Sequence, residues 1–240
     1  MDFSVQNEID AVLMVRQEKD ERKKTSWSPT DLGKCLSGVY YKRLGIKPDK
    51  EPDGRKLRVF AVGKYSEDWV VSVLKEKHPE IQTQARIEIP EWDCTGYADA
   101  VLYDEILEFK TQHSKSFWYM TKGGGGANIQ HRMQIWTYLK ALNKERGRII
   151  YISKDDNAIQ EYPVFLNSEE LAEKVANEFV ILNKAWKEQK PPEPAPAIIR
   201  ENGKCKLNWI CSYCDTHKTC TGNPNWREEA EIKIKELNNS

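Results

Sequence analysis

Two carboxylates and a lysine within residues 95–112 have the types and spacing for metal-assisted hydrolysis. The stretch TGYADAVLYDEILEFKTQ predicts two strands joined by a short turn. Because side chains alternate along a strand, Glu108 and Lys110 lie on one face and Phe109 on the other. In a hairpin, Asp99 of the first strand comes near Glu108. Carboxylate oxygens bind hard divalent cations, which assist attack on a phosphate.

An exposed hairpin with a solvated salt bridge is the alternative interpretation of these residues, since the pattern is short. The following helix, predicted over residues 127–143, favours a site because it presents Gln134 and Tyr138 on one face. Glu67 lies near the apolar side of another predicted helix, residues 57–77. A carboxylate there normally lies at the boundary between the buried and the solvent-exposed sides of the helix. It becomes a candidate ligand only if this helix faces a metal.

A second constellation is a cluster of cysteines in CKLNWICSYCDTHKTC, at positions 205, 211, 214 and 220. One interpretation is a local tetrahedral zinc site, with His217 as a substitute ligand. The other is an iron–sulfur cluster held by three of these cysteines and the remote Cys35. A lone cysteine on an apolar helix is usually a core residue, so Cys35 needs support from elsewhere. The residues alone leave both metals open.

Length and composition limit the number of domains, the cellular compartment and the chemistry of the cysteines. The chain has 240 residues, 39% hydrophobic and 31% charged, with zero net charge, which suits one large domain or a domain with an appendage. No signal pattern or long apolar run is visible, so we expect a cytoplasmic protein without a membrane partner. In that compartment the six cysteines are ligands or buried thiols rather than disulfides. The proline-rich PPEPAPA predicts a linker at the start of region 191–240, which separates its cysteine-rich part from a domain over residues 1–190.

The apolar periodicity alternates between helical and strand-like segments and predicts an α/β (α+β) fold. One helix is expected from Ser28, a good N-cap, to a stop at Gly45. The loops are residues 49–56 and the glycine run 123–126, which we interpret as a mobile flap. The other expected helices are 2–24, 168–189 and 226–237, and the other expected strands are 81–90, 146–153 and 158–165.

Taken together, these residues resemble the RecB-like branch of the PD-(D/E)xK nucleases. More narrowly, they resemble the CRISPR-associated exonucleases of the fourth Cas family, which share an iron–sulfur module with nuclease domains of the AddB and Dna-two types. The matching segments follow the family's order along nearly the whole chain: 28–41, 63–67, 96–99, 108–111, 134–138 and the cysteines at 211, 214 and 220.

The resemblance implies a restriction-endonuclease-like fold, a mixed β-sheet flanked by helices, with a C-terminal cysteine-rich metal-cluster region. It implies a 4Fe–4S cluster that joins the C-terminal region to the N-terminal helices, and zinc stays the alternative metal that the residues leave open. The implied ligands are Cys35, Cys211, Cys214 and Cys220. Cys94 and Cys205 are left without a role.

The resemblance also assigns the hydrolytic residues. Asp99, Glu108 and Glu67 are expected to bind Mg²⁺ or Mn²⁺, with the Phe109 carbonyl as a further ligand. Lys110 is expected to position or deprotonate the attacking water. Gln134 and Tyr138 are expected to orient the phosphates or brace the site.

Two positions depart from the family pattern. Ala98 precedes Asp99 where the family has proline, which leaves the carboxylate in place. Ser66 and Glu67 occupy the position where many members have a metal-binding histidine. Lambda-type phage exonucleases carry a glutamate in that helix, so Glu67 can replace the histidine.

The implied function is a metal-dependent exonuclease that hydrolyses phosphodiester bonds at single-stranded or frayed DNA ends. The expected setting is CRISPR spacer acquisition or phage and mobile-element recombination, with adaptation or recombination proteins as partners. The alternative function is a non-catalytic nucleic-acid-binding or scaffolding protein with a structural zinc site.

Overall fold

The computed structural model describes residues 3–20 and 24–239. They belong to two compact units. Among the described residues, the first unit comprises residues 3–20, 26–32 and 52–177, and the second comprises residues 24–25, 33–51 and 178–239. The domain boundary between residues 190 and 191 stays a prediction, because compactness alone does not show which part folds independently.

Helices and strands follow one another in runs along the chain. The strands are β1 Gln82–Ile89, β2 Cys94–Leu102, β3 Glu105–Gln112, β4 Arg146–Ser153, β5 Ile159–Phe165, β6 Ile198–Glu201 and β7 Lys204–Leu207. The helices are α1 Val5–Asp20, α2 Leu36–Arg43, α3 Gly54–Lys77, α4 Ser114–Thr121, α5 Ile129–Leu142, α6 Glu169–Glu188, α7 Trp209–Ser212, α8 His217–Thr221 and α9 Trp226–Asn239.

The first unit is built on a five-stranded mixed sheet with the order β1-β2-β3-β4-β5. Only the central pair, β3 and β4, is parallel, and the other neighbours are antiparallel. A parallel pair needs a crossover connection, and α4 and α5 supply it. The predicted mixed sheet flanked by helices is therefore confirmed.

Helices cover both faces of the central strand β3. Leu107 and Phe109 join a buried cluster with Val71 of α3. Alternation turns Ile106 and Glu108 to the opposite face, where α5 lies and where Gln134 bonds Glu108. A strand buried on both faces is normally apolar throughout, so the buried Glu108 is the exception that needs an explanation.

Capping residues set the ends of the two helices that flank the sheet. The Asp53 side chain accepts a hydrogen bond from Lys56 N, so α3 begins at Gly54 inside the stretch predicted as loop. Asn128 caps α5 through Gln130 N, and Asn143 ends it in the left-handed conformation, at φ 51°. The helix predicted over residues 127–143 is therefore confirmed within two residues at each end.

The N-terminal and crossover helices depart from expectation in detail. The predicted helix over residues 2–24 is present as α1, and residues 21–23 lie outside the described part. Helix α4 was not predicted, because its aromatic sequence SKSFWYMT carries few strong helix formers. The glycine run is anchored to the end of α4 by backbone bonds from Gly123 and Gly125. Its mobility stays a prediction.

The single helix predicted from Ser28 to Gly45 is wrong. Ser28 does form a capping box, but for a short 3₁₀ helix, Pro29–Asp31. The backbone then turns at Gly33, whose φ is 70°, and α2 starts afresh. Cys35 consequently sits at the N-cap of α2 rather than along an apolar helix face.

The second unit holds a small hairpin that the sequence did not reveal. Strands β6 and β7 pair antiparallel around Asn202 and Gly203, whose φ values are 49° and 79°. The Asn238 side chain of α9 bonds both the N–H and the carbonyl of Cys205 in β7. Across the described residues, none of the helices combines the length and the apolarity that a membrane crossing requires.

Gly147→Ala should lower the free energy of unfolding by about 1–3 kcal/mol. A Cβ at this position of β4 would lie 2.8 Å from the Ile106 carbonyl oxygen and from Ile135 Cδ1, too close for either. Urea denaturation measures the loss. The control is Gly63→Ala, whose new methyl meets only Thr111 Oγ1 at 3.4 Å. It should leave stability unchanged or raise it by up to about 1 kcal/mol, and equal effects at the two positions would contradict the packing argument.

Candidate active site

The site forms where β2 separates from β3. The ladder between these strands runs from Leu102↔Glu105 to Ala100↔Leu107 and ends there. In place of the next backbone partner, Asp99 Oδ2 accepts a hydrogen bond from the Phe109 N–H at 2.9 Å. Asp99 therefore lies beside Phe109 and Glu108 on the neighbouring strand, as the hairpin arrangement predicted.

Glu108 is the most buried carboxylate of the group, with 1% of its surface exposed. Its Oε1 accepts hydrogen bonds from Lys110 Nζ and from Gln134 Nε2, the latter at 2.6 Å. Its Oε2 is buried and has no hydrogen-bond partner among the described residues. A buried carboxylate oxygen without a partner is costly, so this atom is available to a ligand.

Burial and neighbouring negative charges raise the pKa values of the carboxyl groups in the site. Burial holds the pKa of Glu108 at about 8, against the opposing charge of Lys110. The negative charges of Asp99 and Glu67 act in the same direction as burial. Burial also raises the pKa of Asp99, and the charge of Glu67 adds to that rise. The three carboxylates thus repel one another, which a bound cation would offset.

Lys110 is the cation already present in the centre. Burial lowers its pKa, but the Glu108 carboxylate more than compensates through its charge and its hydrogen bond, and the net pKa is raised. The ammonium therefore stays charged while about a quarter of the side chain, 24%, remains exposed. A charged donor at the edge of the site can reach a substrate oxygen or a water.

Gln134 and Tyr138 lie behind Glu108 on α5. Both are buried, at 5% and 2% exposure, and Gln134 Nε2 donates to Tyr138 Oη at 2.9 Å as well as to Glu108. Burial, followed by the charge of Glu108, raises the pKa of Tyr138 well above its usual value, so the phenol stays neutral. Of the two roles predicted for this pair, the geometry favours bracing the site.

Glu67 approaches the group from α3. Its Oε1 accepts hydrogen bonds from Lys64 Nζ at 2.9 Å and from Gln84 Nε2 at 3.2 Å. A pocket of about 230 Å³ between α3 and β1 is lined by Glu67 and Asp99 together with Lys64 and Gln84. Glu67 and Asp99, two carboxylates of the predicted set, therefore line the same pocket.

These oxygens suit a divalent cation in chemistry. The unpartnered Glu108 Oε2 and the mutual repulsion of Asp99, Glu108 and Glu67 both favour a positive charge between them. As the side chains stand, no group of three or more His, Cys, Asp or Glu within residues 3–20 and 24–239 is arranged as a metal site. The ligand roles, including that of the Phe109 carbonyl, remain predictions.

The four proposed cluster cysteines all belong to the second unit. Burial raises the pKa of the Cys211 thiol to about 11, and the charges of Cys35, Cys214 and Cys220 raise it as well. The four sulfurs are therefore near enough to interact, although the described residues contain no cysteine set in a metal-binding arrangement. Their role as ligands stays a prediction.

The remaining thiols and the histidine considered as a zinc ligand lie elsewhere. Cys94 is buried in β2 of the first unit, and Cys205 lies in β7. His217 is buried and stacks on the Trp226 ring, with centroids 3.3 Å apart.

Sequence reasoning missed Lys64 and Gln84, which line the pocket and donate hydrogen bonds to Glu67. Lys64 carried a signal, since it stands one helical turn before Glu67 and pairs with it. Gln84 carried none, because its place depends on a left-handed backbone, at φ 51°, inside a strand.

Solved structures match the chain over most of its length, whereas no protein-family model and no curated protein matches it. A protein designated SSO0001 is 21% identical, with a TM-score of 0.56 over 92% of this chain and 98% of its own. The alkaline exonuclease LHK-Exo from Laribacter hongkongensis is 11% identical, with a TM-score of 0.52 over 72% of this chain and 95% of its own. The structure of LHK-Exo in complex with dAMP gives 12% identity and a TM-score of 0.52, over 76% and 93% of the two chains.

At these identities the likeness establishes the fold. The chain shares a fold with the alkaline exonuclease LHK-Exo, with its mixed sheet and flanking helices. Fold does not fix activity, which has to be argued from the site. The narrower placement among the iron–sulfur CRISPR-associated exonucleases stays a prediction.

In chelator-treated protein, the free energy of unfolding should fall as the pH rises from about 4.5 to about 8. Over this window the folded state keeps a proton on Glu108 that the unfolded chain has released, so unfolding becomes easier at higher pH. The contribution approaches about 1.4 kcal/mol per pH unit. Urea denaturation in EDTA at several pH values measures it. Glu108→Gln cannot titrate and should flatten the slope, and equal slopes in the two proteins would contradict the raised pKa.

Proposed function

We propose that the protein is a metal-dependent DNA exonuclease that hydrolyses phosphodiester bonds. The observation that carries this proposal is the convergence of Asp99, Glu108 and Lys110 at the point where β2 leaves β3. Two carboxylates and one ammonium at an opening of the sheet suit phosphate hydrolysis. The fold that the chain shares with an alkaline exonuclease supports the same reaction.

Asp99, Glu108 and Glu67 would hold one or two Mg²⁺ or Mn²⁺ ions, with the Phe109 carbonyl as a further ligand. Such an ion, when bound, lowers the pKa of a water and offsets the charge that develops on the phosphate. Lys110, whose ammonium stays charged, positions that water, and its charge stabilises the negative transition state. Gln134, braced by Tyr138, keeps the Glu108 carboxylate oriented.

The proposed substrate is single-stranded DNA or a duplex with frayed ends. Trp118 and Tyr119 of α4 expose 59% and 63% of their surface in the same unit as the site. Exposed aromatic rings stack unpaired bases without sequence preference. The setting, CRISPR spacer acquisition or phage and mobile-element recombination, and any protein partners follow from the sequence resemblance alone.

The test is cleavage of end-labelled single-stranded and duplex DNA in Mn²⁺ or Mg²⁺. Asp99→Asn should lower the rate by about 10²-fold or more, because the amide cannot neutralise a cation. Its oxygen still accepts from Phe109 N–H, which preserves the fold. Lys110→Ala should cause a loss of similar size. The matched control is Lys174→Ala on the exposed side of α6, which should cleave like the wild type.

Wild-type protein that binds DNA and leaves it intact in both metals would overturn the nuclease. That outcome would favour the nucleic-acid-binding or scaffolding alternative. Activity that depends on added adaptation or recombination proteins would instead place the chain as a subunit. Near-normal cleavage by either active-site variant would remove that residue from the mechanism.

We further propose that Cys35, Cys211, Cys214 and Cys220 hold a 4Fe–4S cluster, with zinc as the alternative metal. Four thiols in one compact unit supply the donor chemistry for either metal; burial, followed by the charges of the other three, raises the pKa of Cys211. The assignment of iron comes from the sequence resemblance.

Protein purified without oxygen should contain about four iron atoms and matching acid-labile sulfide per chain. Cys35→Ala should lose most of the iron and melt at a lower temperature, since ligand binding is coupled to folding. Cys205→Ala, a cysteine of β7 outside the proposed set, is the control and should keep both. Full iron in Cys35→Ala would remove this ligand, and stoichiometric zinc without iron would support the alternative.

A further inference from the structure

Gln84 adopts a left-handed backbone conformation in the interior of β1, with φ at 51°. The strand is regular on both sides, because Thr83 pairs with Ala100 and Ala85 pairs with Ala98 of β2. The register therefore puts Gln84 opposite Asp99. This conformation is unfavourable for an L residue with a long side chain, and a turn does not require it here.

The side chain of this residue reaches α3. Gln84 Nε2 donates to Glu67 Oε1 at 3.2 Å, and Lys64 Nζ donates to the same oxygen at 2.9 Å. Both bonds end on one oxygen of the carboxylate, and neither engages Oε2. Gln84, Glu67 and Asp99 line the same pocket.

We infer that Gln84 is a positioning residue for Glu67. Its amide, together with Lys64, fixes the orientation of the Glu67 carboxylate so that Oε2 is presented to a divalent cation shared with Asp99. The inference rests on the proposed function, because it takes Glu67 to be a ligand of the hydrolytic cation.

The strained backbone is the reason to assign a role rather than to treat Gln84 as a surface residue. Unfavourable conformations persist where the surroundings hold them, and they concentrate at functional sites. Glycine or asparagine would adopt this φ more readily, yet neither would reach Glu67 with an amide of this length. A carboxylate held by two donors is oriented before the cation arrives, and loss of such a supporting bond typically weakens metal affinity by about 10–100-fold.

The experiment is a Mn²⁺ titration of the full chain followed by electron paramagnetic resonance, which detects binding without any cleavage. Gln84→Gly should weaken Mn²⁺ binding about tenfold or more. Its melting temperature should be unchanged or raised, because glycine relieves the left-handed strain. Gln84→Ala removes the amide without loosening the backbone and should show the same loss of affinity.

The matched control is Asn157→Gly in the turn between β4 and β5. This residue also has a positive φ, 56°, so the change gives the same backbone relief away from the pocket. Its Mn²⁺ affinity should equal that of the wild type. A loss of affinity in this control would show that strain relief itself, rather than the amide, causes the effect.

A double-mutant cycle distinguishes positioning from a general structural effect. If Gln84 acts through Glu67, then Gln84→Gly has no further effect on Mn²⁺ affinity in a Glu67→Ala protein. Additive losses in the double variant would overturn the inference. So would wild-type affinity in both single Gln84 variants, or a wild-type chain that binds no Mn²⁺.

The outcome is separable from that of the proposed function. A wild type that binds Mn²⁺ but leaves DNA intact overturns the nuclease, while the Gln84 variants still decide the positioning role. A wild type that cleaves DNA, with Gln84 variants that bind Mn²⁺ equally well, overturns only the positioning role.

Discussion

The buried carboxylate of Glu108 is the constraint to which the centre of this protein is fitted. Its charge is unfavourable in the sheet interior. The Lys110 ammonium and the Gln134 amide both donate hydrogen bonds to the same oxygen, Oε1. The second oxygen is left without a partner in the described structure. A site that keeps this arrangement in place of an apolar residue sacrifices stability, and binding a cation is the physical reason that fits.

The sheet provides the space for this group by ending one ladder early. Asp99 takes over the hydrogen bond that a backbone carbonyl would have made to Phe109, so the backbone donor stays satisfied while the strands part. Strand β3 stays in the sheet beyond this point, because its parallel pairing with β4 continues to Gln112↔Ser153. The opening is therefore rigid on one side and accessible on the other, which is how functional side chains are held on a scaffold.

In the cysteine-rich unit, spacing along the sequence identifies some of the candidate metal ligands but not all of them. The close spacing of Cys211, Cys214 and Cys220 predicts that they share a metal. The remote Cys35 was added to this set only because of the family resemblance. In the fold, Cys35 belongs to the same compact unit, and its charge acts on the Cys211 thiol. Proximity of the sulfurs is necessary for either metal, and the proposal of iron comes from the family resemblance.

By itself, the sequence determined the parts of the site that local periodicity controls. Alternation put Glu108 and Lys110 on one face of β3, and helical spacing put Gln134 and Tyr138 together on α5. Only the tertiary structure decided how α3 and β1 bring Glu67 and Gln84 to the same pocket as Asp99. The left-handed Gln84 depends on contacts far away in the chain, and so do the raised pKa values of Asp99 and Glu108, since burial arises when separate elements pack together.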